Sequence, residues 1–257
     1  MKVFKNLYNY RELIKTSVKK DVGGKYKHSF LGVLWSFINP LLQIMVYAII
    51  FPLIMRNSIP LYTVFMVCGL IPWTYFSNVL NRSSWVIIEN GNILKKVYFP
   101  REILPLSLAL SETVNFLISS IIIFAFVLFQ GMGISIYILF YPVILIVQFV
   151  LQLGIALILS SVTVYIRDLE HFIGVLLQLY FYATPIVYSS DSIPANYKWI
   201  LKCNPMTYII EGYRDIFYYH SIPDVKSLAI VFAIGIAVII IGYMIFNKLQ
   251  KRFAEEL

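Results

Sequence analysis

Residues 136–165, IYILFYPVILIVQFVLQLGIALILSSVTVY, decide the fold of this chain. This stretch contains no Asp, Glu, Lys or Arg, and it exceeds the roughly twenty apolar residues that an α-helix needs to cross the hydrocarbon core of a bilayer. A soluble domain made from 257 residues has too small a core to bury several segments of this kind. The stretch therefore predicts a transmembrane helix.

Five further apolar stretches of comparable length surround it, and we expect each to form a spanning helix. They are residues 33–55, 61–81, 103–129, 170–189 and 226–247. The composition agrees, because 60% of the residues are hydrophobic and only 13% are charged, against about 25% charged residues in soluble domains. The sequence predicts an all-α integral membrane protein with six transmembrane helices, in which residues 1–257 form one transmembrane domain.

The distribution of Lys and Arg predicts the orientation of these spans. With the N-terminus inside, the cytoplasmic segments hold 16 of the 21 basic residues: eight in 1–32, four in 82–102, Arg167, and three in 248–252. The outer segments hold the other five. Since cytoplasmic loops carry an excess of Lys and Arg, we expect a multi-pass protein of the cytoplasmic (inner) membrane with both termini in the cytoplasm.

The remaining signals exclude several functional classes. The net charge of +8 is explained by the cytoplasmic segments, and no basic stripe with exposed aromatic residues indicates nucleic acid. The nearest approach to a phosphate-binding P-loop, Gly24-Lys25, is followed by Tyr26 instead of Ser or Thr. The three His and two Cys residues lack metal-ligand spacing. We expect no enzymatic activity, no metal and no ATP site in this chain.

Residues 7–22 have the pattern of an amphipathic helix. Apolar side chains recur every three or four positions, and Lys and Arg fill the opposite face. This pattern is typical of a helix that lies on anionic membrane lipids. A solvated helix that packs on its own protein is the alternative.

Short motifs occur in a fixed order along the chain. They are LGVLW (31–35) with Pro40, GLIPW (69–73), FSN (76–78), KVYFPR (96–101), YIRDL (165–169), TPIVY (184–188) and NPM (204–206). Together they resemble the type-2 ABC exporter permeases, most closely the branch that exports O-antigen, capsule or teichoic acid (Wzm- or TagG-like). The resemblance runs nearly end to end. It implies a homodimeric channel, two copies of a separate ABC ATPase subunit that binds ATP and Mg, and a lipid-linked glycan as substrate.

The resemblance assigns residues 89–99 to a coupling helix that docks on the ATPase. The residues predicted to make this contact are Glu89, Asn90, Asn92, Lys95, Lys96, Tyr98 and Phe99. The segment is polar, basic and predicted to face the cytoplasm, where ATP hydrolysis must act on the permease. A plain connecting loop is the alternative.

Aromatic residues in the second and fifth spans predict a channel lining. They are Tyr62, Phe65, Trp73, Tyr75, Tyr180, Phe181, Tyr182 and Tyr188. Sugar rings stack on aromatic planes through their CH faces, although an interfacial aromatic belt explains the same residues equally well. Glu112 lies within the third span, and Asn115 shares its face. We expect this pair either to line the transport path or to hold helices together.

Two further sites are expected at the ends of the channel. Lys25, Lys27 and Arg82 are predicted to receive the substrate diphosphate at the inner mouth through charge-assisted hydrogen bonds. Residues 190–225 are predicted to form short helices, at 193–201 and 206–217, that act as an outer gate with Glu211, Arg214 and Asp215 on their polar edge; a cap lying on the surface is the alternative.

Three other functions compete with glycan export. They are a type-2 ABC permease for a drug or small lipid, an ion-coupled secondary transporter, and a membrane scaffold. An ion-coupled transporter usually carries several ionisable residues in its spans, whereas Glu112 is nearly alone in these. A scaffold needs no exposed docking segment.

Overall fold

The computed structural model describes residues 8–24, 34–55 and 59–256, and this part of the chain is helical without a β-strand. The labelled helices are α1 (Arg11–Gly24), α2 (Trp35–Met55), α3 (Tyr62–Glu89), α4 (Ile103–Phe129), α5 (Tyr141–Val162), α6 (Leu169–Tyr182), α7 (Lys198–Cys203), α8 (Pro205–Arg214) and α9 (Val225–Leu249). A 3-10 helix, Ile136–Phe140, leads into α5. The predicted all-α class is confirmed.

Four helices of the described part are long and apolar enough to cross a membrane. They are Tyr62–Glu89, Ile103–Phe129, Ile136–Val162 and Val225–Arg252. These four correspond to the predicted second, third, fourth and sixth spans. The apolar part of α2, Phe37–Leu53, is shorter. The structure therefore supports a multi-pass membrane protein, and the number of six spans stays a prediction.

The predicted fifth span, 170–189, is longer than the helix that the structure contains. Helix α6 has 14 residues and ends at Tyr182, which gives a length of about 21 Å against a hydrocarbon core of about 30 Å. Pro185 lacks an N–H and disfavours helical geometry in the residue before it. Asn204 then binds the end of the helix, since its Nδ2 donates to the Ala183 carbonyl at 3.2 Å and to Thr184 Oγ1 at 2.8 Å.

The short helices between α6 and α9 also differ from their expected bounds. The predicted helix 193–201 is a 3-10 turn, Ala195–Tyr197, followed by α7. The predicted helix 206–217 begins one residue earlier as α8 and continues as a π-helical turn, Asp215–Tyr219. Asn204 Oδ1 accepts from the Met206 N–H at 2.9 Å, and this N-terminal cap fixes the start of α8.

Three glycines bring the backbones of α5 and α9 into contact; we name Gly154, Gly235 and Gly242 the glycine seam. A Cβ added at Gly154 would lie 2.7 Å from the backbone nitrogen of Ile239. A Cβ added at Gly242 would lie 2.6 Å from the carbonyl oxygen of Gly154. Helices in lipid associate through close packing of this kind, because no hydrophobic effect drives them together.

Gly154→Ala is expected to destabilise the fold by about 1–3 kcal/mol, because overpacking a close contact forces the surrounding backbone to shift. Gly174→Ala on α6 is the matched control, since a Cβ there meets nothing within 4 Å. The measurement is the thermal unfolding midpoint of each purified variant in detergent. Equal midpoints for the two variants would contradict the close contact between α5 and α9.

The bundle has two distinct ends. At one, the terminal end, Ile14 of α1 and Tyr10 just before it pack on a buried apolar cluster that includes Phe99, Phe246 and Phe253. Arg101 Nη1 donates to the Gln250 carbonyl at the same end. Helix α1, residues 90–101 and the C-terminal turns thus meet at one end. The turn before α3 and residues 183–224 form the other, the loop end.

Candidate functional site

A polar cavity of about 240 Å³ lies between α2, α3 and α4, and we name it the central cavity. It is lined by Trp35, Asn39, Pro40, Gln43, Ile71, Thr74, Tyr75, Asn78, Glu112, Asn115, Phe116 and Ser119. Each of the three helices contributes amide, hydroxyl or carboxyl groups one turn apart. These groups donate and accept hydrogen bonds in the manner that a hydroxyl-rich ligand requires.

An ion pair joins α3 and α4 beside the central cavity. Arg82 Nη1 donates to Glu112 Oε1. The Glu112 side chain is 1% exposed, whereas the Arg82 side chain is 36% exposed. A buried carboxylate is costly within a membrane unless a partner compensates its charge. The pair explains how Glu112 is tolerated in α4.

The other side of Arg82 faces a second cavity of about 660 Å³ at the terminal end, which we name the terminal cavity. Its lining residues are Lys19, Lys20, Asp21, Gly23, Gly24, Arg82, Val86, Glu89, Asn90 and Leu108. They come from the end of α1, the second half of α3 with the Asn90 that follows it, and the first two turns of α4. Ser111 Oγ donates to Asp21 Oδ2 at 3.3 Å, which holds α1 against α4. Arg82 and Glu112 therefore separate the two cavities.

Arg214 is the charged residue at the centre of the loop end. Its side chain is fully buried. The Nη2 group donates to the Ile186 carbonyl at 2.7 Å, Nη1 to Glu211 Oε1 at 3.2 Å, and Nε to the Phe65 carbonyl at 3.3 Å. The guanidinium carbon also lies 3.5 Å from the centre of the Phe65 ring. These contacts tie α8 to α3 and to the turn that follows α6.

The placement of Arg214 corrects one expectation. It was predicted to lie with Glu211 and Asp215 on the polar edge of α8, but its long side chain reaches inward to backbone carbonyls that have the acceptor geometry for it. Glu211 and Asp215 remain half-buried, and Ser190 Oγ donates to Glu211 at 2.7 Å. Burial and the nearby Glu211 carboxylate raise the pKa of Asp215 to about 6.

The predicted coupling segment forms an exposed surface at the terminal end. Glu89, Asn92, Lys95 and Lys96 are exposed, and Tyr98 is 95% exposed. Asn90 donates to the Val86 carbonyl at 2.8 Å. Phe99 is buried in the apolar cluster of this end, so it anchors the segment from below. The segment is therefore held to the bundle by buried Phe99, while its polar residues and Tyr98 are accessible to a partner.

The sequence model of a family described as ABC-2 type transporter matches residues 12–218 of the chain. The chain belongs to that family. The match extends from α1 to the π-helical turn after α8, so it includes both cavities, Arg214 and the exposed segment 89–99.

Several curated proteins are similar to this ABC-2 transporter over nearly its whole length. Two chains described as O-antigen export system permease protein RfbA from Klebsiella pneumoniae are each 39% identical to it, one over 97% of this chain and 96% of the relative, the other over 99% and 98%. An RfbA chain from Myxococcus xanthus is 32% identical over the full length of both. Polysialic acid transport protein KpsM from Escherichia coli is 26% identical over 89% of this chain and 88% of the relative.

The transporter distributes its predicted channel residues over separate places. Tyr75, Glu112 and Asn115 come together in the central cavity. Tyr180 and Phe181 of α6 each pack against Trp73 of α3. The remaining four predicted aromatics lie toward the loop end: Tyr62, Phe65, Tyr182 and Tyr188.

Most of these aromatic rings contact protein. Phe65 and Trp73 are buried, and the Tyr62 hydroxyl donates to the Val187 carbonyl at 2.7 Å. Tyr75 stacks on Phe116 with ring centres 4.7 Å apart. Their role as a channel lining stays a prediction.

Sequence reasoning missed most of the polar lining of the central cavity. The missed residues are Asn39, Gln43, Thr74, Asn78 and Ser119. A signal was present, because Asn39 and Gln43 are four residues apart, as are Thr74 and Asn78, each within an apolar stretch. Of the three residues expected to receive the substrate diphosphate, Arg82 lies at the terminal cavity, and Lys25 and Lys27 lie outside the described residues.

Proposed function

We propose that this ABC-2 transporter is the membrane-spanning permease subunit of an ATP-driven exporter of polysaccharide, such as O-antigen, capsule or teichoic acid. The near end-to-end similarity at 39% identity to proteins named as O-antigen export permeases carries the proposal. The central cavity supports it, since amides, hydroxyls and a carboxylate beside Tyr75 and Phe116 suit the hydroxyls and CH faces of a sugar.

In the proposed topology the exporter crosses the cytoplasmic membrane six times. The terminal end of the bundle faces the cytoplasm. The charge bias of the loops supports this orientation. It puts α1, residues 89–99 and the C-terminal turns on one side, in agreement with their packing at one end of the bundle. Residues 190–225, with Glu211, Arg214 and Asp215, then lie on the outer side as a gate.

The working unit is a homodimer with two copies of an ABC ATPase that holds ATP and Mg. One protomer alone encloses about 240 Å³ in the central cavity, below the roughly 300–1,000 Å³ of typical small-ligand pockets. A sugar chain needs a wider continuous path, which a second copy supplies. The exposed face of residues 89–99 is the docking surface for the ATPase.

The substrate of this exporter is a glycan linked to a lipid through phosphate. A phosphate-linked lipid places its charge at the level of the headgroups, where Arg82 and, in the proposal, Lys25 and Lys27 receive it. The lipid portion remains in the bilayer while the glycan enters the path between the helices.

Deleting the gene is expected to remove most polysaccharide from the cell surface, by tenfold or more, and to make lipid-linked glycan accumulate inside. The measurements are surface polysaccharide by immunoblot and lipid-linked glycan by mass spectrometry of extracted lipids. A plasmid copy of the gene should restore both, and a copy lacking residues 89–99 should not. Unchanged surface polysaccharide after deletion would contradict the proposed function.

A further inference from the structure

The C-terminal turns bury one aromatic ring within an otherwise exposed segment. They consist of a 3-10 turn, Gln250–Arg252, and a short helical turn, Phe253–Glu256, which follow α9. Phe253 is fully buried, whereas the charged residues on both sides of it are exposed. Burial of an aromatic ring is strongly stabilising, so Phe253 fastens these turns to the bundle.

Phe253 packs against three parts of the chain. Its ring centre lies 5.6 Å from that of Phe246 in α9, in a T-shaped arrangement, and 6.4 Å from that of Tyr165, which comes just after α5. The guanidinium carbon of Arg101 lies 5.7 Å from the Phe253 ring centre. Arg101 follows the coupling segment, residues 89–99, and Pro100. The ring therefore joins the end of that segment to the ends of α5 and α9.

Two hydrogen bonds hold the same junction. The Tyr165 hydroxyl donates to the Leu249 carbonyl at 2.8 Å, and Arg101 Nη1 donates to the Gln250 carbonyl. Both carbonyls lie at the C-terminal end of α9, where the helix dipole favours a cation such as Arg101. Arg101 is thus bound to the backbone of the C-terminal turns as well as to their buried ring.

The coupling segment depends on the apolar cluster of this junction. Its side chains Leu94 and Phe99 are buried in the same cluster as Phe253. At the start of the segment, Asn90 donates to the Val86 carbonyl of α3. The basic residues and Tyr98 between these contacts are exposed. The direction in which the exposed face points is therefore set by the buried cluster and by Arg101.

We propose that Phe253 and Arg101 are positioning residues for coupling to the ATPase. They hold the coupling segment in the orientation from which a movement of the docked ATPase is transmitted to α5 and α9. The glycine seam joins these two helices, so the junction contacts both members of one closely packed pair. The inference rests on the proposed function for the identity of the docked partner, whereas the support of the segment by the C-terminal turns is a property of this chain alone.

The first test measures hydrogen–deuterium exchange of the purified full-length chain in detergent, in peptides that cover residues 91–104. The N–H groups of Lys95 and Val97 bond to the Gly91 and Ile93 carbonyls, so their exchange reports the order of the coupling segment. Phe253→Ala should speed this exchange at least fivefold, because it leaves a cavity in the cluster that holds Leu94 and Phe99. Phe253→Leu fills most of that space and should remain within twofold of wild type.

Ile123→Ala is the matched control, because Ile123 is also fully buried but lies toward the loop end of α4. Its exchange in residues 91–104 should equal that of wild type. Arg101→Gln provides a second variant that leaves no large cavity, and we expect at least threefold faster exchange from it. Wild-type exchange in both Phe253→Ala and Arg101→Gln, or the same acceleration in Ile123→Ala, overturns the inference.

The second test compares three quantities for each variant when it is expressed with the ATPase. They are the amount of co-purified ATPase, the rate of ATP hydrolysis by the purified complex, and the surface polysaccharide of the cells. Phe253→Ala and Arg101→Gln should retain ATPase and hydrolysis within threefold of wild type and lower surface polysaccharide at least fivefold. Arg101→Lys keeps the charge and a donor, so it should recover most of the export.

A purely structural role gives a different result. Loss of folded permease lowers bound ATPase, hydrolysis and export in the same proportion, and this pattern in Phe253→Ala and Arg101→Gln overturns the role in coupling. Wild-type export in variants with faster exchange overturns it as well. Since the exchange measurement needs neither ATPase nor export, faster exchange in a chain that binds no ATPase overturns the proposed function and leaves the support of the segment intact.

Discussion

Replacing Arg214 by methionine is expected to lower the free energy of unfolding by about 2–5 kcal/mol, because buried acceptors lose their donors. The carbonyl oxygen of Ile186, in the turn after α6, accepts from Arg214 at 2.7 Å. Methionine has a similar length and no donor group. The variant therefore retains much of the packing and leaves the Ile186 and Phe65 carbonyls without the guanidinium.

The measurement is the thermal unfolding midpoint of the purified protein in detergent. Lys202→Met is the matched control, since Lys202 is an exposed cation on α7 at the same loop end of the bundle. Arg214→Lys should fall between wild type and Arg214→Met, because one ammonium group cannot reach all three acceptors. A midpoint for Arg214→Met equal to that of Lys202→Met would contradict a structural role for these hydrogen bonds.

The Tyr98→Ala variant is expected to weaken ATPase binding by about 30-fold or more and to abolish export, since an aromatic anchor at an interface contributes about 2–4 kcal/mol. Tyr98 is 95% exposed in this chain, so removing its ring costs the isolated permease little stability. Its neighbour Val97 is also exposed, and together they give the segment an apolar tip among basic side chains.

Phe129→Ala provides the matched control for Tyr98→Ala. Phe129 is 94% exposed and ends α4 at the loop end, opposite to the coupling segment. The measurements are the amount of ATPase that co-purifies with each tagged variant and the surface polysaccharide of the cells. Normal co-purification with Tyr98→Ala, or the same loss with Phe129→Ala, would remove segment 89–99 as the ATPase contact.

The sequence predicts the parts of the fold that depend on hydrophobic length. Helices α4, α5 and α9 lie close to the expected residues, because a long apolar stretch has few alternatives to a helix in lipid. Helix α3 begins close to the expected residue but runs to Glu89, past the predicted end at residue 81. The predicted end of the fifth span, residue 189, was wrong, because α6 ends at Tyr182. Pro185 was visible in the sequence as a helix breaker, but Asn204, which binds the Ala183 carbonyl at the end of this helix, is 21 positions further along the chain than Ala183, so this contact was not apparent from the sequence.

The candidate site was less predictable because it depends on contacts between distant residues. Glu112 was singled out as costly in a membrane, yet Arg82, 30 residues earlier, was assigned to the inner mouth and not to its ion pair. Arg214 was expected on a polar edge, since helical spacing reports the direction of Cα–Cβ and not how far a long side chain reaches. The polar lining of the central cavity could have been predicted, because its residues recur one helical turn apart within apolar stretches.

The glycine seam limits which parts of the permease are free to change shape. Because no side chain separates the backbones at Gly242 and Gly154, sliding or rotation of one helix past the other produces a clash, so we expect α5 and α9 to move together as one unit. Helix α6 is the opposite case: Phe172, Val175 and Leu179 are exposed, and its packing is one-sided. We therefore expect α6 to move more readily than α5 and α9 when the pathway for a sugar chain widens, and a crosslink between α5 and α9 to leave the amount of surface polysaccharide unchanged.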